Sequence, residues 1–375
     1  APVRFPATWR GAWVVGTETS TTSTETLTAP RESIGAPLVR LDGPAKVAGT
    51  APYAYEHPVK APTFLHSVHS TIVRGRVTAI DTSAAEAVNG VLRVLTHENA
   101  PRLADTSDRE LAVLQSDEIA FRGQYVAAVI AESPEAARHA AGLVHVTYEE
   151  QPGEVELTEG GDVSTPIDQG DVEAAISSAA VTVDQSYTTP MQHNNPMEPH
   201  TTVARWSATG SAGGGILPLH DSTQGPHQAR QMLAPVLGIE PENLEIIAPH
   251  VGGGFGSKGL PHAHVVLAAL AAKTTDARPV KYAMTRQQMF AIAGYRTPTR
   301  QRVRLAAQQD GRLVAISHEA VEQTSRVKEF QESSADSSGV LYAAENRKVT
   351  QRLQHLDVPI TTWMRAPGKC PGVHA

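Results

Sequence analysis

The stretch Pro249-His250-Val251-Gly252-Gly253-Gly254-Phe255-Gly256-Ser257-Lys258-Gly259 decides how the rest of the chain is read. It follows an apolar run, Leu244-Glu245-Ile246-Ile247-Ala248, that reads as a buried strand, and it precedes a helical pattern starting near Pro261. Three glycines in a row, one aromatic and another glycine leave a backbone with few side chains to hold a ligand away. Glycine tolerates positive φ and lets main-chain N–H groups approach an acceptor directly. Such a loop is suited to donating backbone hydrogen bonds to the oxygens of a large anionic group.

A phosphate-binding P-loop requires glycine directly before the lysine and Ser or Thr after it; Ser257 and Gly259 occupy those places, so that spelling fails. Gly254, Gly256 and Gly259 do satisfy the G-x-G-x-x-G of a dinucleotide site. The helix, however, starts beyond the third glycine, and no acid ends the next strand, Val280–Met284. A nucleotide-dependent dehydrogenase is therefore a weak alternative.

The 375 residues suffice for two domains, and a hydrophobic content of 41% suffices for real cores. A net charge of −7 argues against a nucleic-acid partner. The single cysteine, Cys370, excludes internal disulfides and a cluster ligated by this chain alone. No run is long enough to span a membrane, and the N-terminus lacks the order of a signal peptide. A cytoplasmic protein is expected, with periplasmic export beside a partner subunit as the alternative.

Residues 1–33 read as a flexible Ser/Thr-rich lead-in. Residues 34–151 carry a compact α+β pattern. It has strands around Thr63–Ser70, Val91–Thr96, Tyr125–Ala131 and Val144–Tyr148, and a helix capped by Ser133 with Pro134 at its first position. A polar connector, Pro152–Gly170, leads to a second α+β part over 152–375. There Asp171–Ala180 and Pro226–Leu237 read as helices, and Val181–Thr188 and His200–Trp206 as strands. Arg300–Ala307 and Leu313–Val321 form a hairpin, Arg347–Leu356 a further strand, and Met364–Gly372 a loop.

Several motifs in order resemble the xanthine dehydrogenase/aldehyde oxidase family, in the large subunit that binds molybdopterin. They are Arg40-x-Asp42-Gly43-x-x-Lys46-Val47-x-Gly49-Thr50-Ala51-x-Tyr53, Asn195-Pro196-Met197-Glu198-Pro199-His200 and Ser222-Thr223-Gln224. The glycine loop, Tyr295-Arg296-x-Pro298 and Met364-Arg365-Ala366-Pro367-Gly368 complete the set. They cover nearly the whole chain, and the bacterial three-subunit aldehyde oxidoreductases are the branch most resembled. The resemblance implies an α/β-hammerhead domain over 34–151, followed by the first part of the molybdopterin-binding domain over 152–375.

It also implies roles. Gln224 would donate its side-chain amide to the apical oxo of a molybdenum held by the pterin dithiolene, with no direct protein ligand to the metal. Main-chain N–H groups around Gly253, Gly254, Phe255 and Gly256 would serve the same oxygen, with Phe255 packing beside the cofactor. Arg365 would place a guanidinium near the reacting centre, orienting substrate or stabilising anionic oxygen. Met197, Glu198, His200 and Arg296 are secondary pocket candidates: Glu198 and His200 as a hydrogen-bonded pair on one side of an extended segment, and Arg296 as either an ion-pair or a pocket residue. His262 and His264 invite a metal reading, but no partner lies at ligand spacing, and core or surface positions are expected.

The implied activity is oxidation of aldehydes to carboxylic acids with water as oxygen source. The cofactor would be molybdopterin, in a form that includes the cytosine dinucleotide among its options. Electrons would leave through [2Fe–2S] clusters and FAD on partner subunits. Purine-hydroxylating members continue the glycine loop with Lys-Glu; here Gly259 follows Lys258, which favours an aldehyde pocket. The family's Gly-x-Gly-Glu segment, whose Glu is the general base, is not found in these 375 residues. The expectation is an N-terminal half that requires a C-terminal half, an iron–sulfur subunit and an FAD subunit. A non-catalytic remnant or assembly partner is the competing expectation.

Overall fold

The computed structural model describes residues 35–207 and 215–375. The lead-in expected over residues 1–33 lies outside the described residues. The chain divides into two compact units after Ala51. In the first, the short helix Gly43–Val47 carries Pro44 in its first turn, and Lys46 Nζ pairs with Asp42 Oδ2 at 2.7 Å.

The second unit, Pro52–Ala375, holds three sheets. A seven-stranded sheet runs Leu244–Ile247, Leu217–Asp221, Thr201–Ala204, Val280–Ala283, Thr63–His69, Tyr125–Ala131, Val91–Thr96. Strands from either side of residue 152 therefore share one sheet, joined where Thr63 pairs in parallel with Val280. Tyr125–Ala131 is buried at every position, as a continuous apolar run requires of a strand covered on both faces. The helix Pro134–Ala141 packs on that strand and on Thr63–His69. Ser133 Oγ accepts the Ala136 N–H (3.1 Å), satisfying one free donor of the first turn, and Ala137, Ala140 and Ala141 form the buried face.

Helix Pro226–Leu237 ends on Gly238, whose φ of +66° is the left-handed turn that closes a helix. Helix Ala263–Ala272 is buried on every side, which explains its lack of any polar face; it lies on Thr201–Ala204 and Val280–Ala283.

A five-stranded sheet runs Asp162–Gln169, Asn346–Leu356, Leu313–Ser325, Thr299–Ala307, Val181–Thr189. The expected hairpin is its centre, turning through Gly311 (φ +86°). The smallest sheet joins Glu118–Ile119, Gly75–Asp81 and His145–Glu150. Two expectations are corrected. The polar connector contains the strand Asp162–Gln169, an edge strand exposed almost throughout, where Pro166 is tolerated because no partner needs its missing N–H. The loop expected through Gly372 gives way at Lys369 to the helix Lys369–His374, with Pro371 in its first turn, where no intrahelical acceptor is lost.

Candidate functional site

The seven-stranded sheet explains why distant segments meet. Leu217–Asp221 and Leu244–Ile247 pair in parallel, so their C-terminal ends deliver Gln224 and the glycine loop to the same edge. Thr201–Ala204 and Leu217–Asp221 are antiparallel, with Thr202 opposite Asp221. The residues preceding Thr201, Glu198 and His200 among them, therefore start from that edge too.

Gln224 is exposed and fixed at two points. Its backbone N–H donates to the Lys258 carbonyl (2.7 Å), and its side-chain Oε1 accepts the Gly256 N–H (3.1 Å). The second bond orients the amide: with Oε1 taken, Nε2 is the free donor. This differs from the expectation that the Gly256 N–H itself faces a ligand. Gly254 sits against the amide so closely that a Cβ there would overlap Gln224 Oε1, and one at Gly256 would overlap the Trp363 carbonyl. Phe255 takes φ +55°, rare for a residue with a Cβ, and its ring is half exposed rather than packed on protein.

Arg365 is exposed, and its guanidinium has no hydrogen-bond partner among the described residues. Its segment is tied to the glycine loop by Asn194, whose Nδ2 donates to both the Phe255 carbonyl (3.0 Å) and the Trp363 carbonyl (2.9 Å). Arg296 makes the ion pair that was one of its two expected roles. It is buried, pairs with Glu332 Oε1 (3.0 Å) and donates to the carbonyls of Met364 (3.0 Å) and Arg365 (2.6 Å). Gly368 N–H also reaches Glu332 Oε1 (3.0 Å), so the ion pair frames the Arg365 turn from both ends. Burial pushes the Glu332 carboxyl up, against the pull of the Gly368 N–H and Arg296.

Glu198 and His200 do not bond each other, because the chain is irregular until Thr201 and the alternation of a strand does not apply. Each instead grips the glycine loop. Glu198 Oε2 accepts the Gly252 N–H (2.7 Å) and the Lys258 ammonium (2.8 Å). His200 Nε2 donates to the Ser257 carbonyl (3.0 Å), and burial holds its pKa well below the usual histidine value. Met197 is 86% exposed, and its carbonyl accepts from Arg286 (3.3 Å). His262 and His264 are core residues, and among the described residues no group of three His, Cys, Asp or Glu is arranged to hold a metal ion.

Gln224 and the glycine loop are thus in direct contact, and the Arg365 turn is stitched to them. The reading from sequence missed Asn194, Trp363, Glu332 and the carboxylate partner of Lys258. Only Lys258 carried a signal, as a lysine inside a loop whose P-loop spelling fails.

The residues present suit a bulky anionic cofactor: a glycine loop with no side chains at 252, 253, 254 and 256, an exposed amide donor held by that loop, and an unpaired guanidinium on a segment tied to it. The family model for the molybdopterin cofactor-binding domain matches residues 156–375, and that for the aldehyde oxidase and xanthine dehydrogenase a/b hammerhead domain matches 48–152. The aldehyde oxidoreductase molybdenum-binding subunit PaoC of Escherichia coli K12 is 39% identical over 351 residues, 91% of this chain and 47% of that protein. The nicotinate dehydrogenase large molybdopterin subunit of Eubacterium barkeri is 26% identical over 76% of this chain and 69% of its own length. Among solved structures, the aldehyde oxidoreductase from Desulfovibrio gigas superposes with a TM-score of 0.74 at 26% identity, over 88% of this chain and 39% of that one. The chain spans about half the length of the E. coli relative.

Proposed function

The chain belongs to the aldehyde oxidase and xanthine dehydrogenase family of molybdopterin cofactor-binding proteins, and on that footing we propose that it forms the first part of the catalytic subunit of an aldehyde-oxidising enzyme. Residues 34–151 would be the hammerhead domain and 152–375 the first part of the cofactor-binding domain. When bound, the molybdenum centre supplies two-electron oxidation of a substrate carbon with water as oxygen source. The likeness to a named aldehyde oxidoreductase subunit at 39% identity supports aldehydes as the substrate class. Gly259, in place of an acidic side chain after Lys258, is consistent with that class.

The chain's own residues hold and orient. Gln224 Nε2 donates to an oxygen of the cofactor, a task no carboxylate performs at neutral pH. Gly254 leaves the Gln224 amide its place, Gly253 and Gly256 let the loop close on Phe255 and Trp363, and Phe255 covers the cofactor with its exposed ring. Arg365 orients a substrate oxygen through its fork of N–H donors. The dinucleotide form of the pterin, iron–sulfur and FAD partner subunits, and a general base from the remainder of the subunit complete the proposal.

The observation that carries the reading is the Gly256 N–H to Gln224 Oε1 bond, which leaves the amide N–H free. Gln224→Glu keeps the acceptor for Gly256 and removes the donor. In the assembled enzyme it should lower aldehyde turnover about 10²-fold, the usual effect of deleting one donor to developing charge, with molybdenum content unchanged. Turnover equal to the parent enzyme would remove Gln224 from the reaction.

A further inference from the structure

Beneath the glycine loop lies a chain of buried contacts that no motif announces. His262 stands at the N-terminus of helix Ala263–Ala272 with its side chain 3% exposed. Its Nε2 lies 2.8 Å from the Ser257 carbonyl, and its Nδ1 lies 2.5 Å from Glu110 Oε1. A carbonyl only accepts, so Nε2 carries a proton and donates it. Glu110, equally buried, is held on its other oxygen by Lys328 Nζ (2.8 Å), which also reaches Asp108 Oδ2 (2.8 Å). The Ser257 carbonyl receives a second imidazole N–H, from His200 at 3.0 Å. One residue on, the Lys258 carbonyl accepts the Gln224 N–H (2.7 Å) and the Thr223 hydroxyl (3.2 Å).

Two imidazoles therefore fix one side of the Ser257–Lys258 segment, and Gln224 hangs from the other. We propose that His262, braced by Glu110 and Lys328, is a positioning residue that fixes the Gln224 backbone, and with it the place from which the side-chain amide extends, through the Ser257 and Lys258 carbonyls. The inference rests on the functional reading above for its consequence in catalysis, but its geometry is independent of any cofactor. His262 touches neither cofactor nor substrate in this scheme. It acts by denying the loop a second rotation of the 257–258 peptide. The brace comes from a segment about 150 residues away in sequence, so loop geometry is coupled to the irregular stretch that carries Asp108 and Glu110.

The test uses the 375-residue chain without cofactor, and then the assembled enzyme. His262→Gln places an amide N–H about where Nε2 stands; His262→Asn is too short to reach, and His262→Ala has no donor. Backbone hydrogen exchange at Gln224 and Gly256 should quicken about tenfold in His262→Ala and His262→Asn, the effect of losing one buried hydrogen bond. Both amides should stay within about twofold of the parent in His262→Gln, and Val129 in the buried strand should be unchanged in all three. In the assembled enzyme, kcat should fall with the same pattern while KM for the aldehyde holds, because the amide is displaced and the substrate contacts are not. If His262→Ala fails to fold, the contrast between Gln and Asn decides. Parent exchange rates in a folded His262→Asn, or a His262→Gln that behaves like His262→Asn, would overturn the proposal. The predicted exchange pattern in a protein that never takes up molybdenum would instead uphold the clamp and overturn the functional reading.

Discussion

Replacing Lys258 with methionine isolates the buried ion pair that locks the glycine loop. The Lys258 side chain is fully buried, and its ammonium donates to Glu198 Oε2 (2.8 Å) and to the Glu198 carbonyl (2.9 Å). Burial lowers the Lys258 pKa, and Glu198 pulls it back up. Glu198 is itself only 11% exposed at its side chain, and its Oε1 has no partner among the described residues. Methionine preserves length and packing but leaves a carboxylate supported by the Gly252 N–H alone. Breaking a buried pair from one side costs about 3–5 kcal/mol, since the surviving charge loses its compensation. Unfolding entropy near 2.1 cal/mol/K per residue, taken over Pro52–Ala375, turns that cost into a fall in Tm of about 4–7 °C. Calorimetry at pH 7 on the single variant, on Glu198→Gln and on the double variant gives the coupling directly. The double variant should recover at least about 2 kcal/mol relative to the sum of the singles. A Tm within about 1 °C of the parent for Lys258→Met, or strict additivity, would show that the pair does not hold the loop.

Two further outcomes follow from neighbouring geometry. Burial pushes the Asp221 carboxyl up to about 6, although the Thr202 hydroxyl donates to it at 2.5 Å. An acid whose folded pKa is raised binds its proton better when folded. Its contribution is therefore complete below about pH 4 and is lost as pH climbs to about 6, on the order of 3 kcal/mol. Asp221→Asn should flatten the stability profile in that window in denaturant titrations; parallel profiles would refute the assignment. Gly254→Ala should leave the fold within about 2 kcal/mol of the parent, yet lower aldehyde turnover about 10²-fold, as Gln224→Glu does, because the new Cβ overlaps Gln224 Oε1 and evicts the amide. Turnover at the parent level would mean that the amide has room to stay.

What could be read from sequence had a local cause. The strand Tyr125–Ala131 and the helices starting at Pro134 and Pro226 are each specified by an apolar period and by end residues next to it in the chain. The strand Asp162–Gln169 had neither signal: it is exposed on both faces, carries Pro166, and exists because Asn346–Leu356 offers it an edge. Leu217–Asp221 and Gly75–Asp81 carry little local signal for a related reason, five and seven residues whose pairing partners lie in other segments. Propensity is a weak guide where the partner decides.

The site divides along the same line. Gln224, Gly254, Gly256 and Arg365 sit in short motifs, and the structure joins the first three directly. The groups that hold them share no motif, because a supporting contact needs only a donor or acceptor at one point in space, and many sequences deliver that. Asn194 bonds two carbonyls that lie 61 and 169 residues away. Spacing alone pairs Glu198 with His200, two residues on, yet both spend their hydrogen bonds on the glycine loop, 50 to 60 residues on. The sequence leaves Arg296 two roles, and its bonds to three successive carbonyls, at Met364, Arg365 and Ala366, frame the Arg365 turn. A loop this poor in side chains cannot rigidify itself. Glycine's conformational freedom must be removed from outside, which is why a cradle open enough for a large anion is backed by buried ions and imidazoles rather than by apolar packing.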